Sequence, residues 1–126
     1  MAYSKILVID DDIDDQEIFL TALESVSPSI ECVTAGSAVE ALKRLRENEI
    51  STDIIFLDLN MPIMTGQQFL AEIKKNEQLC NIPVIVLSTT SHQPTIDHAK
   101  SLGAASFVTK PDKFSELVRI LKEILN

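Results

Sequence analysis

Carboxylate, hydroxyl and ammonium side chains directly follow four short apolar segments of this 126-residue chain. They are Asp10, Asp11 and Asp12 after the first segment, Asp58 after the second, Ser88, Thr89 and Thr90 after the third, and Lys110 after the fourth. Carboxylate oxygens are the ligands that hard divalent cations prefer, and a lysine beside them can pair with an anion that the metal holds. If the segments bring these groups together, the residue types predict a magnesium site.

Clustered carboxylates repel one another unless a positive charge lies among them. Two carboxylates about 5 Å apart repel by roughly 3 kcal/mol at an effective dielectric constant near 20. The same repulsion raises the pKa of one or more of the carboxyl groups. A cation relieves it, and a site with few protein ligands and several waters is typical of Mg²⁺. Lys110 neutralises only part of the predicted cluster.

The segments that carry these residues have the pattern of buried parallel strands. Continuous apolar tetrads occur at 6–9, 54–57 and 84–87, an alternating segment spans 29–35, and a weaker candidate spans 106–109. Helical spacing occurs between and after them, at 13–26, 38–45, 66–73, 95–102 and 114–121. This alternation predicts an α/β domain with a doubly wound five-stranded parallel sheet. Ligands bind beyond the carboxyl ends of such strands, which is where the polar groups are expected.

Each polar group also has an ordinary structural explanation when it is considered alone. The three consecutive aspartates can cap the following helix and complement its dipole. Asp58 can form an Asx turn before Pro62, and the hydroxyls at 88–90 can cap the next helix. Lys110 can be a surface lysine. The presence of all four groups after the first, third, fourth and fifth strands favours a site.

Composition and charge exclude several other classes of protein. The chain is 45% hydrophobic and 24% charged, and its net charge of −8 makes nucleic acid and anionic membranes poor partners. No apolar run approaches the roughly 20 residues of a membrane helix, and the N-terminal residues lack a signal-peptide pattern. Cys32 and Cys80 are isolated, which predicts free thiols in a protein of the reducing cytoplasm.

Four motifs resemble the signature segments of two-component response regulator receiver domains, the CheY-like family. They are ILVIDDD (6–12), IFLDLNMPIMTG (55–66), PVIVLST (83–89) and FVTKP (107–111), and they occur in the family's order. The resemblance covers residues 5–126. It implies a flavodoxin-like (βα)5 fold with strand order 2-1-3-4-5. It also implies one receiver domain over residues 1–126 with no output domain.

The resemblance implies specific roles for the acidic residues. Asp58 would be the phosphoacceptor, taking a phosphoryl group from a phosphohistidine of a sensor histidine kinase or phosphotransfer protein. Asp10, Asp11, Asp58 and the backbone oxygen of Asn60 would hold Mg²⁺. Lys110 would pair with the phosphoryl group. A carboxylate attacks phosphorus only when charge on the phosphoryl oxygens is neutralised, which agrees with the predicted cluster.

The resemblance also implies a conformational switch and a binding face. The hydroxyl of Ser88 would bond a phosphoryl oxygen, and the ring of Phe107 would move as Ser88 is drawn inward. Phe107 stands where many members carry Tyr, so a phenol hydrogen bond is absent. The switch would reshape the face of the fourth helix, fifth strand and fifth helix for a downstream protein target or a homodimer. The Lys110–Pro111 bond is usually cis in this family.

Other functions remain open at this stage. The chain can be an intermediate phosphotransfer module of a multi-step relay, or a binding module that has lost phosphorylation, although retention of every acidic ligand argues against the second. A phosphatase with an aspartyl-phosphate intermediate needs a second Asp two residues after the nucleophile, where this chain has Asn60. We therefore expect a switch that accepts a phosphoryl group, not a dedicated enzyme.

Overall fold

Five parallel strands form one sheet in the order β2-β1-β3-β4-β5 in the computed structural model, which describes residues 3–126. The strands are β1 (Lys5–Ile9), β2 (Glu31–Ala35), β3 (Ile54–Leu57), β4 (Val84–Ser88) and β5 (Ser106–Thr109). The helices are α1 (Ile13–Val26), α2 (Ala38–Arg46), α3 (Gly66–Lys75), α4 (Gln93–Ser101) and α5 (Phe114–Leu125). The predicted fold class and strand order are confirmed.

The sheet has an apolar core on each face because successive strand side chains point to opposite sides. Leu7 and Ile9 belong to the core that includes buried residues of α2 and α3. Ile6 and Val8 belong to the core that includes buried residues of α1 and α5. Both faces of β1 and β3 are thus covered, which explains why these strands are continuous apolar runs.

Side-chain caps fix where several helices begin. The Oγ of Ser37 accepts a hydrogen bond from Glu40 N at the start of α2, as its position predicts. Thr65 and Gln68 form a reciprocal capping box at the start of α3. These caps hold the loops that enter the helices at defined angles, including the loop that follows β3.

The fourth helix has the fewest buried residues of the five helices. It begins at Gln93, two residues before the predicted start, and His92 occupies the N-cap position without a side-chain cap bond. The hydroxyls at 88–90 therefore do not cap it. Ala99 is its one buried residue. Because little apolar surface holds α4 to the sheet, a small rearrangement of the neighbouring loop can shift it.

Three smaller predictions concern single residues and membrane spans. Cys32 and Cys80 are free and partly buried, as predicted. None of the helices within residues 3–126 is long and apolar enough to cross a membrane. The expected cis Lys110–Pro111 bond is wrong, because no cis peptide bond occurs in the described chain. The trans isomer is the one that an X–Pro bond favours, by about 0.5–1 kcal/mol.

Candidate functional site

Parallel pairing brings Asp10 and Asp58 to the same edge of the sheet. Ile9 of β1 lies opposite Leu57 of β3, so the residues that follow each strand are neighbours. The Asp58 N–H donates to the Ile9 carbonyl at 3.0 Å, which extends the strand ladder to the site. Asp10, Asp11 and Asp58 each place a carboxylate oxygen within 4.8 Å of the others. Asp10 is 6% exposed and Asp58 8% exposed, whereas Asp11 is open to solvent.

The three consecutive aspartates have different structural roles. Asp12 caps α1, because its Oδ1 accepts from Asp14 N at 2.9 Å and from Asp15 N at 3.2 Å. Asp10 Oδ1 accepts from Asp12 N at 3.0 Å, which tightens the turn between the strand and the helix. The capping explanation is therefore correct for Asp12, while Asp10 and Asp11 carry carboxylates of the cluster.

Lys110 reaches the cluster from the end of β5. Its N–H donates to the Ser88 carbonyl at 2.7 Å, so the ladder between β4 and β5 continues to this residue. Its Nζ lies 3.0 Å from Asp10 Oδ2 and 2.8 Å from Asp15 Oδ2. The side chain is 17% exposed, so these ion pairs are partly shielded from water.

Asp15 is a contact of the site that the sequence analysis did not find. It lies in the first turn of α1, where an acidic residue is expected simply to complement the helix dipole. Its partner Lys110 is 95 residues away in the chain. The only sequence signal is that the first helical turn after a site loop faces the carboxyl edge of the sheet.

The environment of the cluster disfavours the ionised form of Asp58 and favours the protonated form of Lys110. Burial raises the pKa of Asp58; Lys110 lowers it, Asp10 and Asp11 raise it, and the net pKa lies above the ordinary value. Burial lowers the pKa of Lys110, but its bonds to Asp15 and Asp10 outweigh burial and leave the pKa raised. Lys110 is consequently a fixed positive charge at neutral pH, and the carboxylates retain an excess of negative charge.

The loop after Asp58 is held close to it. The Asn60 N–H donates to Asp58 Oδ1 at 3.3 Å, and the Gly66 N–H donates to the Leu59 carbonyl at 3.1 Å. Ile63 has a φ of +69°, which is unusual for a β-branched residue, and it is 93% exposed. The loop therefore folds back so that α3 begins directly against the backbone of residues 58–59.

Ser88 and Phe107 lie on adjacent strands at the other side of the site. Ser88 is fully buried, and its Oγ accepts from Thr90 N at 3.4 Å. Phe107 lies opposite Val86 in the sheet and packs, partly buried, against a small cluster that includes Ala99 of α4. The ring of Phe107 thus connects the strand that bears Ser88 to the weakly anchored helix.

A family model for the response regulator receiver domain matches residues 6–122 of this chain. The chain belongs to the response regulator receiver domain family. The receiver is 32% identical over 124 residues to the two-component response regulator ORR12 of Oryza sativa subsp. japonica, covering 98% of this chain and 100% of that protein. It is 35% identical to the transcriptional regulatory protein CpxR homolog of Haemophilus influenzae, covering 97% of this chain and 50% of that protein.

Solved structures of response regulators have the same fold as this receiver. The phosphorylated cyanobacterial phytochrome response regulator RcpA superposes with a TM-score of 0.88 at 36% identity, covering 98% of this chain and 91% of that one. The Mn²⁺-bound form of response regulator Rcp1 gives a TM-score of 0.86 at 28% identity, covering 96% and 91%. These similarities extend over nearly the whole receiver.

The donor set of the receiver fits a hard divalent cation. Three carboxylates offer oxygen ligands within one small volume, and two of them are almost buried. Three carboxylates stand beside the one ammonium group of Lys110, so the cluster carries more negative than positive charge when it is ionised. Oxygen donors with uncompensated charge are what Mg²⁺ requires. Of the predicted site residues, Asp10, Asp11, Asp58 and Lys110 are brought together. Asn60 lies in the loop after Asp58, and Ser88 is the last residue of β4.

Proposed function

We propose that this receiver is a phosphoacceptor switch of a two-component system. Asp58 takes a phosphoryl group from a phosphohistidine of a sensor histidine kinase or a phosphotransfer protein. The observation that carries the proposal is the cluster of Asp10, Asp11 and Asp58 oxygens within 4.8 Å, with Lys110 bonded to Asp10. The similarity to RcpA and Rcp1, described as phosphorylated and Mn²⁺-bound respectively, supports it.

Asp10, Asp11, Asp58 and the backbone oxygen of Asn60 would hold Mg²⁺ in this proposal. When bound, Mg²⁺ supplies positive charge that offsets the charge on the phosphoryl oxygens and on the carboxylates. The Asn60 N–H donates to Asp58 Oδ1 at 3.3 Å, and this contact between the loop and the carboxylate supports the proposed role of Asn60. Relief of carboxylate repulsion would also lower the pKa of Asp58 and keep it ionised as a nucleophile.

The transfer step uses groups that this chain supplies. An Asp58 carboxylate oxygen attacks phosphorus, the P–N bond to the donor histidine breaks, and its electron pair stays on the imidazole nitrogen. A new P–O bond to Asp58 forms, and the imidazole takes a proton from water. Lys110 stabilises the negative phosphoryl oxygens through its ammonium group, which its bonds to Asp15 and Asp10 keep protonated. The low exposure of Asp58 limits access of water to the reacting group.

The phosphoryl group on Asp58 would change the conformation of the receiver through Ser88 and Phe107. A phosphoryl oxygen that accepts a bond from the Ser88 hydroxyl draws the start of the β4–α4 loop toward Asp58. Phe107 packs in the cluster that includes Ala99, and this contact supports a coupling in which its ring follows the movement and shifts α4. The face of α4, β5 and α5 would then bind a downstream protein target or a second copy of the chain.

This role is signalling in the cytoplasm, and the receiver is not proposed to be a dedicated enzyme. The test is amide NMR with beryllofluoride and Mg²⁺, comparing the wild-type protein with Asp58→Asn. Shifts at Ser88, Phe107 and α4 are expected in the wild type and should be lost in Asp58→Asn. Asp14→Asn, an exposed change in α1, should respond like the wild type. The absence of any wild-type shift, or an equal response of Asp58→Asn, would contradict the proposal.

A further inference from the structure

Lys110 is shared between two carboxylates, one in the loop after β1 and one in the first turn of α1. Its Nζ donates to Asp15 Oδ2 at 2.8 Å and to Asp10 Oδ2 at 3.0 Å. An ammonium group has three N–H donors, so two of the three are occupied. Among the described residues, Lys110 donates no hydrogen bond to Asp58 and acts on it only through its charge. The shorter of the two bonds is to Asp15, which is not a member of the Asp10–Asp11–Asp58 cluster.

Asp15 differs from the other acid in the same helical turn. Asp14 is exposed, and its side chain makes no hydrogen bond or ion pair within residues 3–126. Asp15 is 38% exposed at its side chain and holds the one lysine of the site. Dipole complementation explains both acids equally, but only Asp15 has a partner whose position matters for the proposed chemistry.

We propose that Asp15 is a positioning residue that restrains Lys110 in the unphosphorylated receiver and competes with the phosphoryl group for its ammonium. This inference rests on the proposed phosphoacceptor function and extends it to a residue outside the predicted site. The restraint has two physical parts. Asp15 occupies a donor that a phosphoryl oxygen requires, and its negative charge repels the incoming phosphoryl anion. Both parts act in the same direction, against the phosphorylated state.

The surroundings allow Lys110 to change partners. A cavity of about 240 Å³ lies between α1 and the β5–α5 loop, with Asp15, Lys110, Ile18 and Pro111 among its lining residues. Free space therefore adjoins both Lys110 and Asp15. Asp10, the second partner of Lys110, lines the same cavity and belongs to the carboxylate cluster.

The experiment measures beryllofluoride affinity in the presence of Mg²⁺, using amide NMR because the chain has no tryptophan. Asp15→Asn should bind roughly five- to tenfold more tightly than the wild type, which corresponds to about 1.0–1.4 kcal/mol. Asp14→Asn is the matched control, since it removes the same charge from the same helical turn. It should stay within about twofold of the wild type, because that charge is exposed and screened.

A double-mutant cycle of thermal unfolding without metal shows whether Asp15 acts through Lys110. Asp15→Asn should lower Tm when Lys110 is present, because an ion pair is lost. In the Lys110→Met background it should raise Tm or leave it unchanged, because only carboxylate repulsion is removed. Additive changes in Tm would show that the two residues are not coupled and would overturn the proposal.

The affinity measurement separates failure of this inference from failure of the proposed function. If the wild type binds beryllofluoride but Asp15→Asn binds no more tightly than Asp14→Asn, the restraint by Asp15 is wrong and the phosphoacceptor function stands. If the wild type does not bind beryllofluoride, the proposed function fails, and the inference that depends on it fails with it.

Discussion

Gly66 lies so close to Asp58 that a Cβ atom at Gly66 would be 2.6 Å from the Asp58 carbonyl oxygen and 2.7 Å from Leu59 Cα. These neighbours are backbone atoms that cannot move without shifting the strand end that carries the proposed phosphoacceptor. Gly66 is therefore the residue that lets α3 begin directly against the site loop. The absence of a side chain at this position is a structural requirement of the site.

We predict that Gly66→Ala destabilises the receiver by about 1–3 kcal/mol, because an added methyl group overpacks against the backbone. Thermal or urea unfolding measures the loss. Gly36→Ala is the matched control, since nothing lies within 4 Å of a Cβ atom there and its φ is not in the left-handed range. That variant should be neutral or slightly more stable. Equal stability of Gly66→Ala and Gly36→Ala would show that the close approach has no energetic consequence.

Removing one acid from the cluster should stabilise the metal-free receiver. Asp11→Asn deletes a negative charge near Asp10 and Asp58, so we expect a higher Tm without metal. The same variant should gain less stability from added Mg²⁺, because it loses a ligand. Melting curves with and without Mg²⁺ measure both effects. A lower Tm of Asp11→Asn in the absence of metal would contradict the claim that repulsion among the carboxylates destabilises the receiver.

The raised pKa of Asp58 predicts a specific dependence of stability on pH in the absence of metal. The folded pKa lies above the unfolded value of about 3.9, so the folded receiver binds the extra proton between these two values. The stability that Asp58 contributes therefore falls as pH rises from the unfolded pKa to the folded pKa. Asp58→Asn cannot titrate and should show a flatter profile, with higher stability than the wild type above the folded pKa. Urea midpoints across the acidic range, with Mg²⁺ chelated, test this prediction.

The pKa of Asp53 is lowered, so we predict that its contribution to stability rises with pH, opposite to that of Asp58. Its Oδ2 accepts hydrogen bonds from Ser4 N, Ser4 Oγ and Lys5 N, and these bonds lower its pKa. The stabilisation is present above the unfolded pKa and is lost as pH falls through the lowered folded pKa. Because the group is solvent-exposed, we expect Asp53→Ala to cost only about 1 kcal/mol near neutral pH.

The control for Asp53 is Glu24→Gln, which changes an exposed acid whose side chain makes no hydrogen bond or ion pair within the described residues. Glu24→Gln should leave the acid limb of the stability profile unchanged, while Asp53→Ala should flatten it. A wild-type profile retained by Asp53→Ala would mean that the bonds from Ser4 and Lys5 do not stabilise the start of β1.

The sequence predicts most of this architecture because the relevant signals are local. Continuous apolar runs mark β1, β3 and β4, and the spacing of α1 predicts its bounds of Ile13–Val26. The convergence of Asp10 and Asp58 follows from parallel pairing, since residues after neighbouring strands must meet. The start of α4 is less predictable, because it has no side-chain cap and few apolar residues.

What the sequence does not predict are contacts between distant side chains. Asp15 has the pattern of an ordinary first-turn acid, and its bond to Lys110 depends on the path of two loops. The positive φ of Ile63 is likewise unexpected, because a β-branched residue disfavours that backbone conformation. Family resemblance predicts a cis Lys110–Pro111 bond, whereas the bond is trans in the structure. Such features are set by tertiary context, not by local propensity.

Intact-mass analysis after incubation with acetyl phosphate tests the central claim most directly, because it reports covalent phosphorylation of the receiver. With Mg²⁺ present, we predict a gain of one phosphoryl group that peptide mapping assigns to Asp58. The gain should disappear with a chelator and in Asp58→Asn, while Asp14→Asn should react like the wild type. An unmodified wild-type protein, or a phosphoryl group that forms without metal or on a residue other than Asp58, would contradict the account.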